Sequence, residues 1–170
     1  MAEGIAAGDK CVNIIDERNR DARRASLASV GIDVAAAERS GQLELRAWEE
    51  AHILGGHFDQ HGMLARLEES ASTDRNGFRL TRLWSNQEWV LEKPPGVEDL
   101  IEYEARFNYI WPKYDDITVC VYDASKFGAA LLVEVLRAHP FAILSGVMVA
   151  NPFYVPPDEM LRELKERRPR

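Results

Sequence analysis

The chain has 170 residues, of which 46% are hydrophobic and 29% charged, and its formal net charge is −7. A domain of this length buries about 70% of the surface that its unfolded chain exposes, so folding requires neither disulfides nor a metal. The acidic balance argues against direct nucleic-acid binding, and every apolar run is shorter than the roughly 18 residues that a membrane span needs. We therefore predict one cytoplasmic domain over residues 1–168, without an export signal, and a short tail at 169–170.

The first half of the chain alternates short apolar runs with segments of helical periodicity. Residues 10–15 predict a buried strand, and Leu43 and Leu45 alternate with polar neighbours, as in a half-exposed edge strand. Residues 47–61 show no steady period and predict a loop. The helices predicted in this half, with their capping residues, are 22–30, 34–40 (Asp33) and 60–72 (Asp59).

The second half begins with a predicted strand at residues 78–83, a turn that carries two tryptophans, and a helix at residues 97–111. Residues 117–122 and 142–149 are nearly continuous apolar runs, the pattern of strands covered on both faces in a parallel sheet. Residues 126–139, between them, predict a deeply buried helix and a right-handed crossover. The alternation predicts a three-layer α/β fold, in which helices flank a mainly parallel sheet.

The segment at residues 151–157 predicts a rigid elbow. Asn151 precedes a proline and is therefore restricted to extended conformations, and two further prolines open a final helix. We expect Phe153 and Val155 to pack inward and Tyr154 to hydrogen-bond across the edge of the sheet.

Four segments together resemble a known family: EYEARFN at residues 102–108, CVYDASKF at 120–127, VLRAHP at 135–140 and NPFYVPP at 151–157. The chain resembles the methanogen/methylotroph DcmR sensory (MEDS) family, whose members are fused to, or work beside, transcription regulators and signalling kinases. The resemblance implies a RecA/KaiC-like core and a sensory role. It also implies that residues 1–8 are the end of a helix that follows the family's first strand, so that this strand would be absent from the chain.

The sequence contains neither of the glycine-rich motifs, GxxxxGK[ST] and GxGxxG, that cradle phosphates. The strand predicted at 78–83 ends in Arg82 and Leu83, where a nucleotide-hydrolysing sheet would offer magnesium a carboxylate. The turn that follows looks about three residues longer than in the family. We therefore predict a RecA/KaiC-like fold without an intact phosphate loop, and no ATP hydrolysis.

Several side chains are candidates for contact with a ligand. Glu104 and Asn108 fall in the middle of the apolar face of helix 97–111, where they either form a structural hydrogen bond or anchor a ligand in an apolar pocket. Ligands of parallel sheets usually bind beyond the carboxyl ends of the strands. The candidates are Trp84, Trp89, Glu104, Asn108, Tyr122 and Asp123. The alternatives are core packing for the tryptophans and helix capping for Asp123.

Evidence for a metal site is weak. His57, Asp59 and His61 combine imidazoles with a carboxylate, a set that suits a divalent metal. The glycines around them predict a loop, however, so exposed loop histidines are the alternative. Cys11 and Cys120 lie in apolar runs typical of buried, reduced thiols, which we favour over a disulfide or a zinc site. We predict no bound metal and no cofactor.

The favoured interpretation is a non-catalytic sensory domain that binds a small, largely apolar effector or a protein partner and thereby modulates transcription or signalling. A degenerate RecA-like nucleotide-binding domain is the alternative. A metal-dependent hydrolase ranks third, because the sequence offers no recognisable set of nucleophile, base and orienting group. The expected partners are a small molecule and a regulator or kinase, with a second copy of the chain as a further candidate and neither nucleic acid nor membrane.

Overall fold

A computed structural model of the chain describes residues 1–73 and 77–168 and, within these ranges, every side chain except those of residues 70–73. The predicted tail at 169–170 lies outside the described residues. The strands are β1 Lys10–Ile15, β2 Leu43–Ala47, β3 Thr81–Asn86, β4 Ile117–Val121, β5 Phe141–Leu144 and β6 Val147–Ala150. The helices are α1 Ala2–Ala6, α2 Arg20–Ser29, α3 Val34–Arg39, α4 Trp48–Ala51, α5 Gln60–Thr73, α6 Leu100–Phe107, α7 Ala129–Ala138 and α8 Pro157–Arg167.

The central sheet is parallel and has the strand order β2-β1-β3-β4. Helices α1, α2 and α3 cover one face, where Cys11 and Ile15 of β1 pack against Leu27. Helices α4 to α7 cover the other face, where Ile14 packs against residues such as Trp89. Helix α8 lies outside α6 and α7 and buries Met160 against them. The predicted three-layer α/β fold with a mainly parallel sheet is confirmed.

Several local predictions for the first half are also confirmed. Strand β1 matches the apolar run, and the residues of β2 alternate between buried and half-buried at the edge of the sheet. The Asp33 carboxylate accepts the Ala36 N–H and caps α3. The predicted loop at 47–61 is wrong in part, because α4 occupies its start. The Glu50 carboxylate accepts the Ala47 N–H at the first turn of that helix and stabilises it.

The strand predicted at 142–149 is the largest error. The segment forms an antiparallel hairpin, in which Phe141 pairs with Ala150 and Leu144 with Val147, separate from the parallel sheet. Ser145 and Gly146 both have positive φ, 49° and 80°, which is the requirement of a two-residue hairpin turn of type I′. The apolar run therefore consists of two short strands, and the predicted crossover into a fifth parallel strand is absent.

Burial around this hairpin also differs from the prediction. Helix α7 was expected to be deeply buried, but Val133 is 54% exposed, because the strand that would have covered this side of the helix belongs to the hairpin. In the elbow, the Asn151 side chain accepts the Phe153 N–H within a turn that leaves the Phe153 ring 67% exposed. The inward packing predicted for Phe153 is therefore wrong. Val155 does pack against the apolar cluster beneath α8, as predicted.

Two elements of the second half differ in extent. Strand β3 starts and ends three residues later than predicted, because it pairs along its length with β4 as well as β1. Trp84 and Ser85 consequently lie within the strand and not in a turn. The helix predicted at 97–111 is confined to α6, because the chain forms single 3₁₀ turns at Val97–Asp99 and at Trp111–Lys113, where Pro112 disfavours a longer helix.

Candidate functional site

Segments that are far apart in the chain, and that carry the family resemblance, meet at one place in the fold. Helix α6 contributes Glu104, β4 and the residue after it contribute Cys120 and Tyr122, and the end of α7 contributes His139. The Tyr122 hydroxyl donates to Glu104 Oε1 over 2.6 Å. Glu104 Oε2 lies 3.9 Å from Cys120 Sγ and 3.7 Å from His139 Nε2. We call these four residues the motif junction.

The secondary structure explains why the junction forms. Cys120 and Tyr122 are two residues apart, so their side chains project from the same face of the sheet. Helix α6 packs over that face through Leu100 and Tyr103, and Glu104 continues the same buried side of the helix. Glu104 is only 2% exposed. Its carboxylate is therefore held against β4, where water does not compensate its charge.

His139 has one ring nitrogen committed to the backbone. It follows the last residue of α7, and Nδ1 lies 2.8 Å from the carbonyl oxygen of Val135. Because a carbonyl only accepts hydrogen bonds, Nδ1 must carry a proton. In the neutral ring, Nε2 is then an unprotonated acceptor that faces the Glu104 carboxylate.

Two asparagines fix the end of α7, and with it the position of His139. Asn108, which directly follows α6, donates to the carbonyl oxygens of Glu104 and Ala138 over 3.0 and 2.9 Å. Asn151 donates to the carbonyl oxygens of Leu136 and His139 over 2.5 and 2.8 Å. Carbonyls at the end of a helix have no partner within the helix, so both amides satisfy groups that would otherwise be orphaned. Asn108 thus has a structural role that sequence left open.

Electrostatics keep the donors of the junction neutral. Burial raises the pKa of the Cys120 thiol well above its usual value, and the neighbouring Glu104 raises it further. Burial also raises the pKa of the Tyr122 hydroxyl well above its usual value, and Glu104 raises it further. Both groups are therefore protonated at neutral pH in the protein without a bound cation, and both can donate to the carboxylate.

The other candidate residues lie elsewhere. Trp89 is fully buried, donates to Gln87 Oε1 over 2.7 Å and stacks on His52 at 5.0 Å, as expected of a core residue. Trp84 projects from one face of the sheet, whereas Leu83 and Cys120 project from the other, so Trp84 points away from the junction. The Asp123 carboxylate accepts the N–H and hydroxyl of Ser125 in the turn before α7. Of the six candidates, the structure brings Glu104 and Tyr122 into contact and places Asn108 beside them.

A cavity of about 150 Å³ with a mixed apolar and polar lining lies between the sheet and helices α5 and α6. We call it the sheet–helix cavity. Its apolar lining residues are Val12, Ile14, Ala51, Met63, Leu67, Leu83, Phe107, Ile110 and Trp111, and its polar ones are Lys10, Arg46, Glu50, Arg66, Thr81, Tyr114, Asp116 and Thr118. The cavity lies toward the amino ends of the strands, and none of the six candidates lines it. It approaches the junction through Thr118, which precedes Cys120 on one face of β4, and through Phe107, which follows Glu104 by three positions on α6.

A second, more polar cleft of about 430 Å³ lies beyond the carboxyl ends of β1 and β3. The connections that leave β1 and β3 run over opposite faces of the sheet, to β2 and β4, and open parallel sheets usually bind ligands at such a point. Three acidic and three basic side chains line this cleft: Asp16, Glu88, Glu92, Arg18, Arg23 and Lys126.

The histidine group considered from sequence has no metal-binding geometry. The Asp59 carboxylate accepts the N–H groups of His61 and Gly62 at the start of α5, and His57 and His61 are exposed. Within the described part of the chain, one set of three side chains could hold a metal ion, because its ligand atoms lie within 4.8 Å of one another: Glu104, Cys120 and His139. Both cysteines are reduced, but Cys120 is half-buried, whereas Cys11 is fully buried.

The parallel sheet and the junction built from distant segments define an α/β domain with an internal polar contact site. The model of the family described as MEDS, MEthanogen/methylotroph, DcmR Sensory domain, matches residues 1–140. The chain therefore belongs to the MEDS family, and its role is sensory or regulatory. The match includes the parallel sheet and all four residues of the motif junction.

No curated protein matches the chain significantly. None of the described helices combines the length and apolar character that crossing a membrane requires.

Proposed function

We propose that this domain is a non-catalytic sensor whose effector is a small, largely apolar molecule bound in the sheet–helix cavity. The observation that carries the proposal is the cavity itself, which has a volume of about 150 Å³ and in which nine of the lining residues are aliphatic or aromatic and eight are polar. An engineered cavity of the same volume with an entirely apolar lining binds benzene, so the volume of this cavity suits a molecule of that size. The effector should therefore be about as large as a single small ring.

The polar residues around the cavity give the effector an orientation. Lys10 and Asp116 lie near the amino ends of β1 and β4, and Thr118 projects from β4 into the lining. A small apolar molecule that carries one polar atom can therefore place that atom toward this end of the cavity. Ligand sites commonly combine an apolar lining with a few polar groups of this kind.

Helix α6 is the element through which binding can be transmitted. It contributes Phe107 to the cavity and Glu104 to the motif junction, and its opposite side packs on α8 through Ala105 and Met160. A shift of α6 on binding would therefore alter both the junction and the surface formed by α8. We propose that the output partner is a transcription regulator or signalling kinase that contacts this surface, without direct contact to nucleic acid or membrane.

Two substitutions on one helix test the site. Leu67→Phe adds volume inside the cavity, whereas Leu64→Phe changes a partly buried residue one turn earlier that does not line it. With benzene as the probe, at a hundred times its Kd, the wild type and Leu64→Phe should gain about 2.7 kcal/mol of stability. That corresponds to a rise in Tm of about 5–10 °C. Leu67→Phe should lose the rise while it remains folded.

The sensor proposal fails if benzene and similarly sized apolar molecules leave the wild-type melting temperature unchanged. It also fails if Leu67→Phe and Leu64→Phe respond to benzene equally, because the ligand would then bind outside the sheet–helix cavity. Two-dimensional NMR spectra of the same samples locate the perturbed residues independently of stability.

Nucleotide binding is the second candidate, and the position of the polar cleft favours it. The cleft lies at the switch point of the sheet, and Arg23 and Lys126 could contact phosphate. Its three carboxylates oppose this, because they repel a polyanion. A rise in Tm with ADP that Arg23→Ala abolishes would support nucleotide binding, whereas the sensor proposal expects no response to ADP in either protein.

A further inference from the structure

We propose that Glu104, Cys120 and His139 form a binding site for a divalent transition metal, with zinc as the best match. The three residues come from α6, β4 and the end of α7, and they offer a carboxylate oxygen, the Cys120 sulfur and an imidazole nitrogen. Binding of a metal would release the thiol proton of Cys120 to solvent. This mixture of ligands suits zinc and its neighbours in the first transition series, whereas magnesium and calcium prefer oxygen alone.

The distances between the ligand atoms are close to those of a tetrahedral site. With metal–ligand bonds of about 2.0–2.3 Å, the ligand atoms lie about 3.3–3.8 Å from one another. Glu104 Oε2 is 3.7 Å from His139 Nε2 and 3.9 Å from Cys120 Sγ, and all three ligand atoms fall within 4.8 Å. Side-chain movements of less than about 1 Å would therefore complete the site.

The surrounding hydrogen bonds already hold the ligands as a metal requires. Zinc-binding histidines almost always donate their second ring N–H to a carboxylate or a backbone carbonyl. His139 Nδ1 makes this contact with Val135 and directs Nε2 toward Glu104. The other oxygen of Glu104 accepts the Tyr122 hydroxyl, so the carboxylate is held from its far side as well.

A cation would also resolve an electrostatic conflict. In the neutral form of His139, Nε2 and the buried Glu104 oxygen are both acceptors, and they face each other over 3.7 Å. A proton shared between them is the alternative to a metal. The His139 side chain is 27% exposed, which gives an ion a route to the site. Three protein ligands leave the fourth tetrahedral position open to water or to a second ligand.

Cobalt(II) is the probe that separates a metal site from a shared proton. The full chain is stripped with a chelator and titrated with Co²⁺, and absorption in the near ultraviolet reports a cobalt–thiolate bond. We expect one Co²⁺ per chain, a thiolate charge-transfer band, and displacement of Co²⁺ by one equivalent of Zn²⁺. The exposed His57 and His61 can bind cobalt adventitiously, but they cannot produce a thiolate band.

Matched variants assign the ligands. Cys120→Ser should lose the charge-transfer band, whereas Cys11→Ser, which changes the cysteine on the other face of the sheet, should keep it. His139→Gln should weaken Co²⁺ binding at least tenfold. Circular dichroism of each variant checks folding, and the wild-type stoichiometry stands without the variants. The proposal is overturned if excess Co²⁺ gives no thiolate band with the wild type, or if the band survives in Cys120→Ser.

Discussion

The motif junction and the β5–β6 hairpin depart from the usual distribution of side chains in opposite directions. The junction buries a carboxylate, with Glu104 only 2% exposed, whereas the hairpin exposes apolar side chains such as Phe141 at 60% and Met148 at 70%. A buried charge is tolerated where hydrogen bonds compensate it, and Tyr122 supplies one. The hairpin has no equivalent compensation among the described residues, so its natural partner is another surface.

The amount of exposed apolar surface favours a second copy of the chain as that partner. The exposed side chains in and beside the hairpin are Phe141, Ile143, Leu144, Val147, Met148, Val149 and Phe153. Those of the hairpin project alternately from its two faces. Exposed apolar side chains grouped in this way mark an interaction surface. We therefore propose self-association through the hairpin, whose outer edges pair with no other strand in the described part of the chain and would assist it.

The largest predicted effect comes from removing the carboxylate of the junction. Glu104→Ala leaves the Tyr122 hydroxyl without its acceptor and creates a void against β4, so we expect a loss of about 3 kcal/mol in the free energy of unfolding. Urea titration measures it. The exposed Glu98, just before α6, is the control, and Glu98→Ala should change stability by less than about 0.5 kcal/mol.

Glu104→Gln distinguishes a structural carboxylate from one that anchors a ligand. The amide oxygen can still accept from Tyr122, and we expect a smaller loss of about 1–2 kcal/mol if the role is structural. A ligand anchor gives the opposite pattern, in which the melting temperature without ligand is nearly unchanged and the response to phenol, which carries the polar atom that benzene lacks, is abolished. The second pattern would show that the sheet–helix cavity extends functionally to the junction.

The comparison also shows what the sequence could predict. Apolar periodicity places Glu104 on the inner side of α6, and the apolar run at β4 identifies that strand, so burial of the carboxylate is predictable. Periodicity does not reveal that Cys120 and His139 meet it, because this contact depends on how α7 ends over the sheet. The signal that could have found them is the family motifs, which contain both residues. The thiol was interpreted as an ordinary buried cysteine.

The hairpin was mispredicted for a related reason. Residues 142–149 are apolar enough for a central strand, and hydrophobicity alone does not reveal whether a strand is covered or exposed. Ser145 and Gly146 were the local evidence for a turn, because a type I′ turn needs positive φ at both central positions. The parallel part of the fold was predictable because its strands are separated by helices of ordinary length.

His52 provides a buried polar group outside the junction, and its effect on stability should depend on pH. Burial lowers the pKa of His52 to about 3 from 6.5, so the unfolded chain binds a proton between these values and the folded chain does not. The free energy of unfolding is therefore highest above pH 6.5, and it decreases as the pH falls towards 3, because protonation of His52 favours the unfolded chain. At pH 5.5 the loss should be about 1.4 kcal/mol relative to neutral pH.

Unfolding titrations at pH 7.5 and 5.5 check this for the wild type and for His52→Gln, which cannot titrate. The variant should show a pH difference that is smaller by about 1.4 kcal/mol. An equal pH difference in both proteins would mean that His52 is more accessible than its contacts with Ser85 and Trp89 imply. Of the two buried polar sites, the junction would then be the one from which water is more fully excluded.

The smallest effect on stability, and the largest on association, is expected at the hairpin. Met148 is 70% exposed and pairs with Ile143 across the two strands, so Met148→Glu should alter the stability of the dilute chain by less than about 0.5 kcal/mol. If two copies meet through this surface, the new carboxylate is buried in the interface without a partner and should weaken association at least tenfold.

Val30→Glu is the matched control, since Val30 is 62% exposed at the end of α2, outside the hairpin. Light scattering over a concentration series should give a dimer for the wild type and for Val30→Glu and a monomer for Met148→Glu. A wild-type chain that stays monomeric at high concentration would exclude a second copy as the partner of the hairpin.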